Sequence, residues 1–227
     1  MPVKSSNPDN PDQPPAPNLQ IPRCGWNRPW AWTLTALIVV ALELGCYFAR
    51  KYDPEISREN GPMENFQAIC LLLGILLLSW TACRTGPGGR RTLAGGLALF
   101  YATFLVLEVD VRDWEVRWLT FIFSGWLRNS WLGGAWLVAG FLAWRNLAAT
   151  WAAFRSWFAT FAAALLLVSG CCWVIASLVD KSFLGQKSLF KEELFEVAAA
   201  WLMFQSAAIG LREGDGSRRP PVPSGPA

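Results

Sequence analysis

The stretch that decides the fold is "GPMENFQAICLLLGILLLSWTAC", residues 61–83. No charged side chain follows Glu64 until Arg84, and a bilayer-spanning helix needs roughly 20 mainly apolar residues, so this stretch predicts a membrane helix. Its start has the composition of a helix N-terminus. Gly61 suits the N-cap, Pro62 suits the first helical position, and the carboxylate of Glu64 complements the free N–H groups there.

The rest of the chain shares this apolar character. Of its 227 residues 53% are hydrophobic and 14 are tryptophan, and the mean hydropathy is +0.27. Residues 1–24 and 213–227 are polar and Pro-rich, which predicts disordered tails and means that the middle is more apolar than the average. We therefore predict an all-α, polytopic membrane helical bundle over residues 25–212, with the lipid bilayer as its main partner.

Six segments of the chain are long and apolar enough to be predicted as transmembrane helices. They lie at about 30–50, 62–83, 92–110, 128–147, 155–179 and 193–211. Residues 114–127 contain "WEVRWLTFIFSGW", a pattern that predicts an additional amphipathic helix at the interface or a re-entrant segment.

Two features of the composition exclude whole classes of function. The net charge is only +3 with no block of basic residues, so nothing indicates nucleic-acid binding. Histidine is absent, which excludes Ser-His-Asp triads, imidazole metal sites and histidine pH switches. The six cysteines show no CxxC spacing, so we interpret them as small apolar residues that contribute packing.

The connections between the predicted helices differ in charge. Residues 84–91 and 145–155 carry arginines and no acid, and short basic connections lie on the cytoplasmic side. Both termini are then also cytoplasmic, and the acidic connections face outward. We expect a multi-pass protein of the cell membrane, of the bacterial inner-membrane kind.

Acidic and amide side chains collect at the predicted outer ends of the helices. Placing an ionisable group within a span costs free energy, so such a group usually faces the bundle interior and has a partner there. This argument is strongest for Glu43, which lies two turns inside the first span. Asn65 is a further neutral ligand. The candidate site residues are Glu43, Glu64, Gln67, Glu108, Asp110, Glu193 and Glu196.

Several of these residues also have a purely structural interpretation. Glu64 and Glu193 can be explained as helix caps with no further role. Glu108 can be explained by an ion pair with Arg112 four residues later. Glu108 and Asp110 are two residues apart, so on a helix they point in different directions and only one of them can face the bundle.

Three functions remain open for this set of residues. An outward-facing carboxylate site can bind a divalent cation (Ca, Mg or Mn), exchange protons, or position a lipid-linked substrate between an acid and a base. Alternatively, the protein is a non-enzymatic scaffold or assembly subunit that binds other membrane protein subunits. A small transporter is the third possibility, although the sequence shows no inverted repeat. Whether the protein is an enzyme stays open.

Three motifs carry a resemblance to a known kind of protein. "ENGPMENFQ" at 59–67, "LEVDVRD" at 107–113 and "EELFEV" at 192–197 resemble a pattern found in uncharacterised bacterial multi-spanning membrane proteins, E-D-G-x-x-E followed by E-L-D. This chain has Asn60 in place of the Asp and Val109 in place of the Leu. The resemblance implies a membrane bundle and no particular activity.

The first testable prediction concerns topology. Reporter fusions at Gly88 and Gly185 should report cytoplasmic and extracytoplasmic positions respectively, because Gly88 lies in an acid-free basic connection. The opposite pair of results would invert the predicted orientation.

Overall fold

The computed structural model describes residues 29–53, 61–108, 122, 125–181 and 189–215, with the side chains of residue 108 and of 211–215 left out. Within these ranges the chain is helical and contains no strand, which confirms the all-α prediction. The helices are α1 (Pro29–Tyr52), α2 (Pro62–Arg84), α3 (Gly89–Glu108), α4 (Gly125–Arg145), α5 (Leu147–Phe158), α6 (Phe161–Asp180) and α7 (Leu189–Asp215).

Four of the described helices are long and apolar enough to cross a membrane: α1, α2, α3 as far as Leu107, and α6. This supports a helical membrane bundle, but the count of six spans is not confirmed. The composition of the other two long helices explains the difference. α4 contains Arg128, Asn129 and several tryptophans, and α7 opens with Glu192, Glu193 and Glu196.

The predicted fifth span, 155–179, is wrong as a single helix. The chain breaks at Thr160, whose extended backbone and side-chain oxygen, accepting from the Ala163 N–H at 3.3 Å, cap the start of α6. Residue 155 therefore belongs to α5, which has 12 residues and no buried side chain. A helix of that length is about 18 Å long, too short to cross a bilayer.

The boundaries of several other predicted segments can now be compared with the structure. α4 begins at Gly125, and α7 continues to Asp215, beyond the predicted end of the sixth span and three residues into the predicted C-terminal tail. The predicted interfacial segment at 114–127 lies mostly outside the described residues, as do the N-terminal tail and the end of the C-terminal tail. Those predictions stay predictions.

α7 lies at the centre of the bundle and packs most extensively against α6 and α2, while α2 also packs against α3. Small residues are buried on both α6 and α7. Ala162–Ala164 of α6 and Ala198–Ala200 of α7 are all buried, and short side chains let two helix backbones come close together.

Hydrogen bonds to main-chain carbonyls connect α7 to its neighbours inside the apolar interior. Tyr101 of α3 donates to the Met203 carbonyl at 2.8 Å, and Ser169 of α6 donates to the Ala199 carbonyl at 2.9 Å. In the other direction, Ser206 of α7 donates to the carbonyl of Ala162 at 2.7 Å. All three hydroxyl-bearing side chains are buried, so each bond satisfies a polar group that has no access to water.

α1 lies at the edge of the bundle and fixes which helix ends are neighbours. At its start the ring of Trp32 meets that of Phe161 edge-on at 4.8 Å, and near its end Cys46 packs against Met63 and Phe190. The C-terminus of α1 and the N-termini of α2 and α7 therefore share one end of the bundle. We call this the acidic end, comprising residues 43–53, 61–67 and 189–196.

The contact between α2 and α3 generates the second prediction. A Cβ atom added at Gly74 would lie 2.7 Å from the Tyr101 ring, which is buried and held by its hydrogen bond to Met203. Gly74→Ala should lower the free energy of unfolding by about 1–3 kcal/mol, the usual cost of overpacking. Thermal unfolding in detergent measures this.

Gly170→Ala is the matched control, because Gly170 is also within an apolar helix but has nothing within 4 Å of the added atom. It should leave stability unchanged or raise it slightly. An equal loss of stability in both variants would show that the Gly74–Tyr101 contact does not limit packing.

Candidate functional site

Two helices begin side by side at the acidic end. α2 starts as the sequence predicts, with Gly61 as an extended N-cap and Pro62 in the first turn. The Gly61 carbonyl accepts the Asn65 N–H at 3.1 Å, and Glu64 lies in the same first turn. α7 begins beside it with Glu192 in its first turn. The positive ends of two helix dipoles thus meet a group of carboxylates.

A hydrogen bond between two buried side chains joins these helix starts. Nε2 of Gln67 donates to Oε2 of Glu193 at 2.9 Å. Gln67 is 0% exposed and Glu193 is 8% exposed. The second polar atom of the amide, Gln67 Oε1, is buried and has no hydrogen-bond partner among the described residues. The pair therefore retains one unused acceptor.

An apolar cluster lies next to this pair and limits its contact with water. Met63 precedes Gln67 by one turn of α2, while Phe190 and Val197 flank Glu193 on α7, and these three apolar residues are buried against one another. Residues three or four apart share a helix face, so the apolar cluster and the polar pair lie along the same interface.

Burial disfavours the charged form of the Glu193 carboxylate. Its position is in the opening turns of α7, before the apolar segment 197–209 and outside the four candidate spans. Desolvation raises the pKa of Glu193 from 4.5 to about 7, and the negative charge of Glu64 adds to the increase. The hydrogen bond from Gln67 acts in the opposite direction, and Glu192 makes a smaller raising contribution to the pKa.

One cation is held close to the start of α7. The Arg50 guanidinium, near the end of α1, lies 4.2 Å from the centroid of the Phe190 ring, a cation–π arrangement. This contact positions a positive charge beside the acidic end. It also contributes to holding α1, which makes few other contacts with the bundle.

The structure brings together three of the predicted site residues: Glu64, Gln67 and Glu193. Glu43 is half-buried on α1, at the margin of the acidic end, and whether it joins this group stays a prediction.

The remaining candidates are not placed in this group. Glu196 is half-buried on α7, one turn after Glu193, and interacts with another group. The side chain of Glu108 and the whole of Asp110 lie outside the described residues. Whether they reach the acidic end stays a prediction.

A divalent cation has no described ligand set. Within the described ranges, no group of three or more histidine, cysteine, aspartate or glutamate side chains is arranged to hold a metal ion. Within the acidic end, the group formed by Glu64, Gln67 and Glu193 offers two carboxylates and one amide oxygen as acceptors, which is a set suited to a proton or another hydrogen-bond donor.

Two features of the acidic end were not predicted from the sequence. The pairing of Gln67 with Glu193 joins residues 126 positions apart, and only the packing of α2 against α7 reveals it. A signal was present, since a polar side chain in an apolar helix needs a partner. The contact of Arg50 with Phe190 has no comparable signal.

Comparison with known protein families, with curated proteins and with solved structures finds no match to this chain. The geometry of the described residues is therefore the basis for the function proposed below.

The third prediction follows from the raised pKa of Glu193. Between pH 4.5 and about 7 the folded protein holds a proton that the unfolded chain has released, so stability should fall as pH rises through this window. Glu193→Gln should flatten this dependence and stabilise the protein at pH above 7, by on the order of 2 kcal/mol. Thermal unfolding in detergent across this pH range is the measurement.

Glu196→Gln is the control on the same helix and should keep the wild-type pH dependence. If the two substitutions flatten the curve equally, the dependence does not come from the Gln67–Glu193 pair.

Proposed function

We propose that this integral membrane protein takes up and releases protons at an outward-facing site formed by Gln67, Glu193 and Glu64. The observation that carries the proposal is the 2.9 Å hydrogen bond between the buried Gln67 amide and the buried Glu193 carboxylate. A buried carboxylate beside a second carboxylate is costly when both are charged, and adding one proton removes that cost.

Gln67 can pair with either protonation state of Glu193. When Glu193 is ionised, the amide N–H of Gln67 donates to it, as the structure shows. When Glu193 gains a proton from water, its O–H becomes a donor, and the amide can turn so that its otherwise unpaired Oε1 accepts. The turn moves the unpaired polar atom from Oε1 to Nε2 of the same amide, so the pair can follow proton uptake and release without separating the helices.

Glu64 is placed to pass protons between solvent and the buried pair. It lies half-buried in the first turn of α2, one turn before Gln67, and its charge acts on Glu193. A carboxylate that is more accessible than Glu193 and electrostatically linked to it can serve as the entry point for a proton.

The membrane arrangement belongs to the same proposal. The acidic end faces outward and both termini are cytoplasmic, as in the inner membrane of a bacterium. α4 and the part of α7 from residue 197 onward cross together with α1, α2, α3 and α6. This is supported by the packing of α7, which lies against two of the candidate spans, α2 and α6.

A scaffold is the second candidate, and one observation favours it. α4 contacts mainly α3 and α5, and it exposes large apolar side chains including Trp126, Leu137 and Trp144. A second membrane subunit could pack on this face of α4. In that case the carboxylates at the acidic end would serve only stability.

The fourth prediction tests proton binding directly. Infrared titration of the purified protein in lipid should show a carboxyl group that gains its proton near neutral pH. Glu193→Gln should remove that signal, and Gln67→Leu should move it to higher pH because the hydrogen bond that favours the charged form is lost. Glu196→Gln should leave it in place. A signal that survives Glu193→Gln would contradict the proposal.

Complementation of a deletion strain separates the two candidate functions. A proton site requires Glu193 and Glu64, so Glu193→Gln and Glu64→Gln should insert normally and fail to complement, whereas Glu59→Gln in the preceding connection should complement. If all three variants complement while an α4 variant such as Leu137→Glu does not, the scaffold is preferred.

A further inference from the structure

The opposite end of the bundle contains a cavity that the proton site does not use. Its volume is about 150 Å³, and it lies between the second half of α2, the first half of α3, α5 and the second half of α7. Leu78, Ala94, Leu97 and the ring of Tyr101 form its inner wall, and Trp157 of α5 covers one side.

The wall of this cavity is less polar than its residue types indicate. It includes five hydroxyl-bearing side chains, but most of their hydrogens are already used. Four of them donate to main-chain carbonyls, at 2.8 Å from Thr81, 2.8 Å from Tyr101, 2.6 Å from Thr160 and 2.7 Å from Ser206. A cavity of about 150 Å³ with a mainly apolar wall has room for a small apolar group.

One charged side chain, Arg90, contributes to the lining, and no acidic residue does. Arg90 is the second residue of α3 and is exposed, so its charge lies at the boundary of the bundle. The cavity thus combines an apolar interior with a positively charged edge.

α5 gives a lipid access to this cavity. It is a short helix with no buried residue, and it packs mainly on α3. A Cβ atom at Gly89 would collide with the main chain of Ala149, so the lack of a side chain there allows α5 to lie against the start of α3. The outer wall of the cavity is therefore a surface helix, next to the space that the bilayer occupies.

We propose that this cavity binds an anionic phospholipid, with part of one acyl chain between α3 and α5 and the phosphate at Arg90. Basic pockets between membrane helices on the cytoplasmic side bind anionic lipid headgroups in this way. The apolar wall accounts for the acyl chain, and Arg90 accounts for the preference for negative charge. This site is independent of the proton site, since the two share no residue.

Native mass spectrometry of the full-length protein in detergent tests the proposal, with phosphatidylglycerol and phosphatidylcholine of the same chain length as probes. The wild type should bind phosphatidylglycerol more tightly. Arg90→Gln should weaken that binding about fivefold, which corresponds to one lost arginine near a phosphate, and should leave phosphatidylcholine unaffected. Arg91→Gln is the matched control, because Arg91 does not line this cavity, and it should retain wild-type affinity.

A second pair of variants tests the cavity itself. Ala153 lines the cavity and Ala152, beside it on α5, is exposed and does not. Ala153→Phe should fill the space and reduce phosphatidylglycerol binding with Arg90 intact, whereas Ala152→Phe should have no effect.

Three results would overturn the proposal. They are equal losses for Arg90→Gln and Arg91→Gln, equal affinity of the wild type for the two lipids, and binding of octanoate without binding of phosphatidylglycerol. The last would assign the cavity to a free carboxylate instead of a membrane lipid.

Discussion

The structure depends on one constraint: polar groups in an apolar bundle must find partners within the bundle. α7 is the helix on which most of these pairings meet. Along its length α7 accepts hydrogen bonds from Gln67 of α2, Ser169 of α6 and Tyr101 of α3. Its own Ser206 donates a hydrogen bond to α6. The small residues of α6 and α7 bring the backbones close enough for these short hydroxyl side chains to reach main-chain carbonyls.

The bond to Gln67 differs from the others on α7 because its acceptor is an ionisable side chain and not a main-chain carbonyl. A carbonyl keeps the same hydrogen-bonding role at every pH, whereas Glu193 changes from acceptor to donor when it gains a proton. The same interaction that attaches α2 to α7 is therefore the one that proton uptake alters. The proposed function is located at this point of the fold for that reason.

The sequence predicts the helical membrane bundle and the start of α2 because these depend on local apolar length and on capping residues such as Gly61 and Pro62. It does not predict the break at Thr160, since a threonine inside a long apolar run has little local signal against the continuing hydropathy. The site is predicted only as a set of acidic and amide residues at one end. Which of them meet depends on packing angles between distant helices, as the pairing of Glu193 with Gln67 shows.

The central claim is that Gln67 and Glu193 stabilise the protein as a pair, and a double-mutant cycle tests it most directly. Gln67→Leu, Glu193→Leu and the double variant are compared with the wild type by reversible unfolding in mixed micelles at pH 8. We predict a coupling free energy of about 1.5–3 kcal/mol, as for a hydrogen bond to a charged group, with the double variant more stable than the sum of the single losses implies. Additive losses would contradict the account.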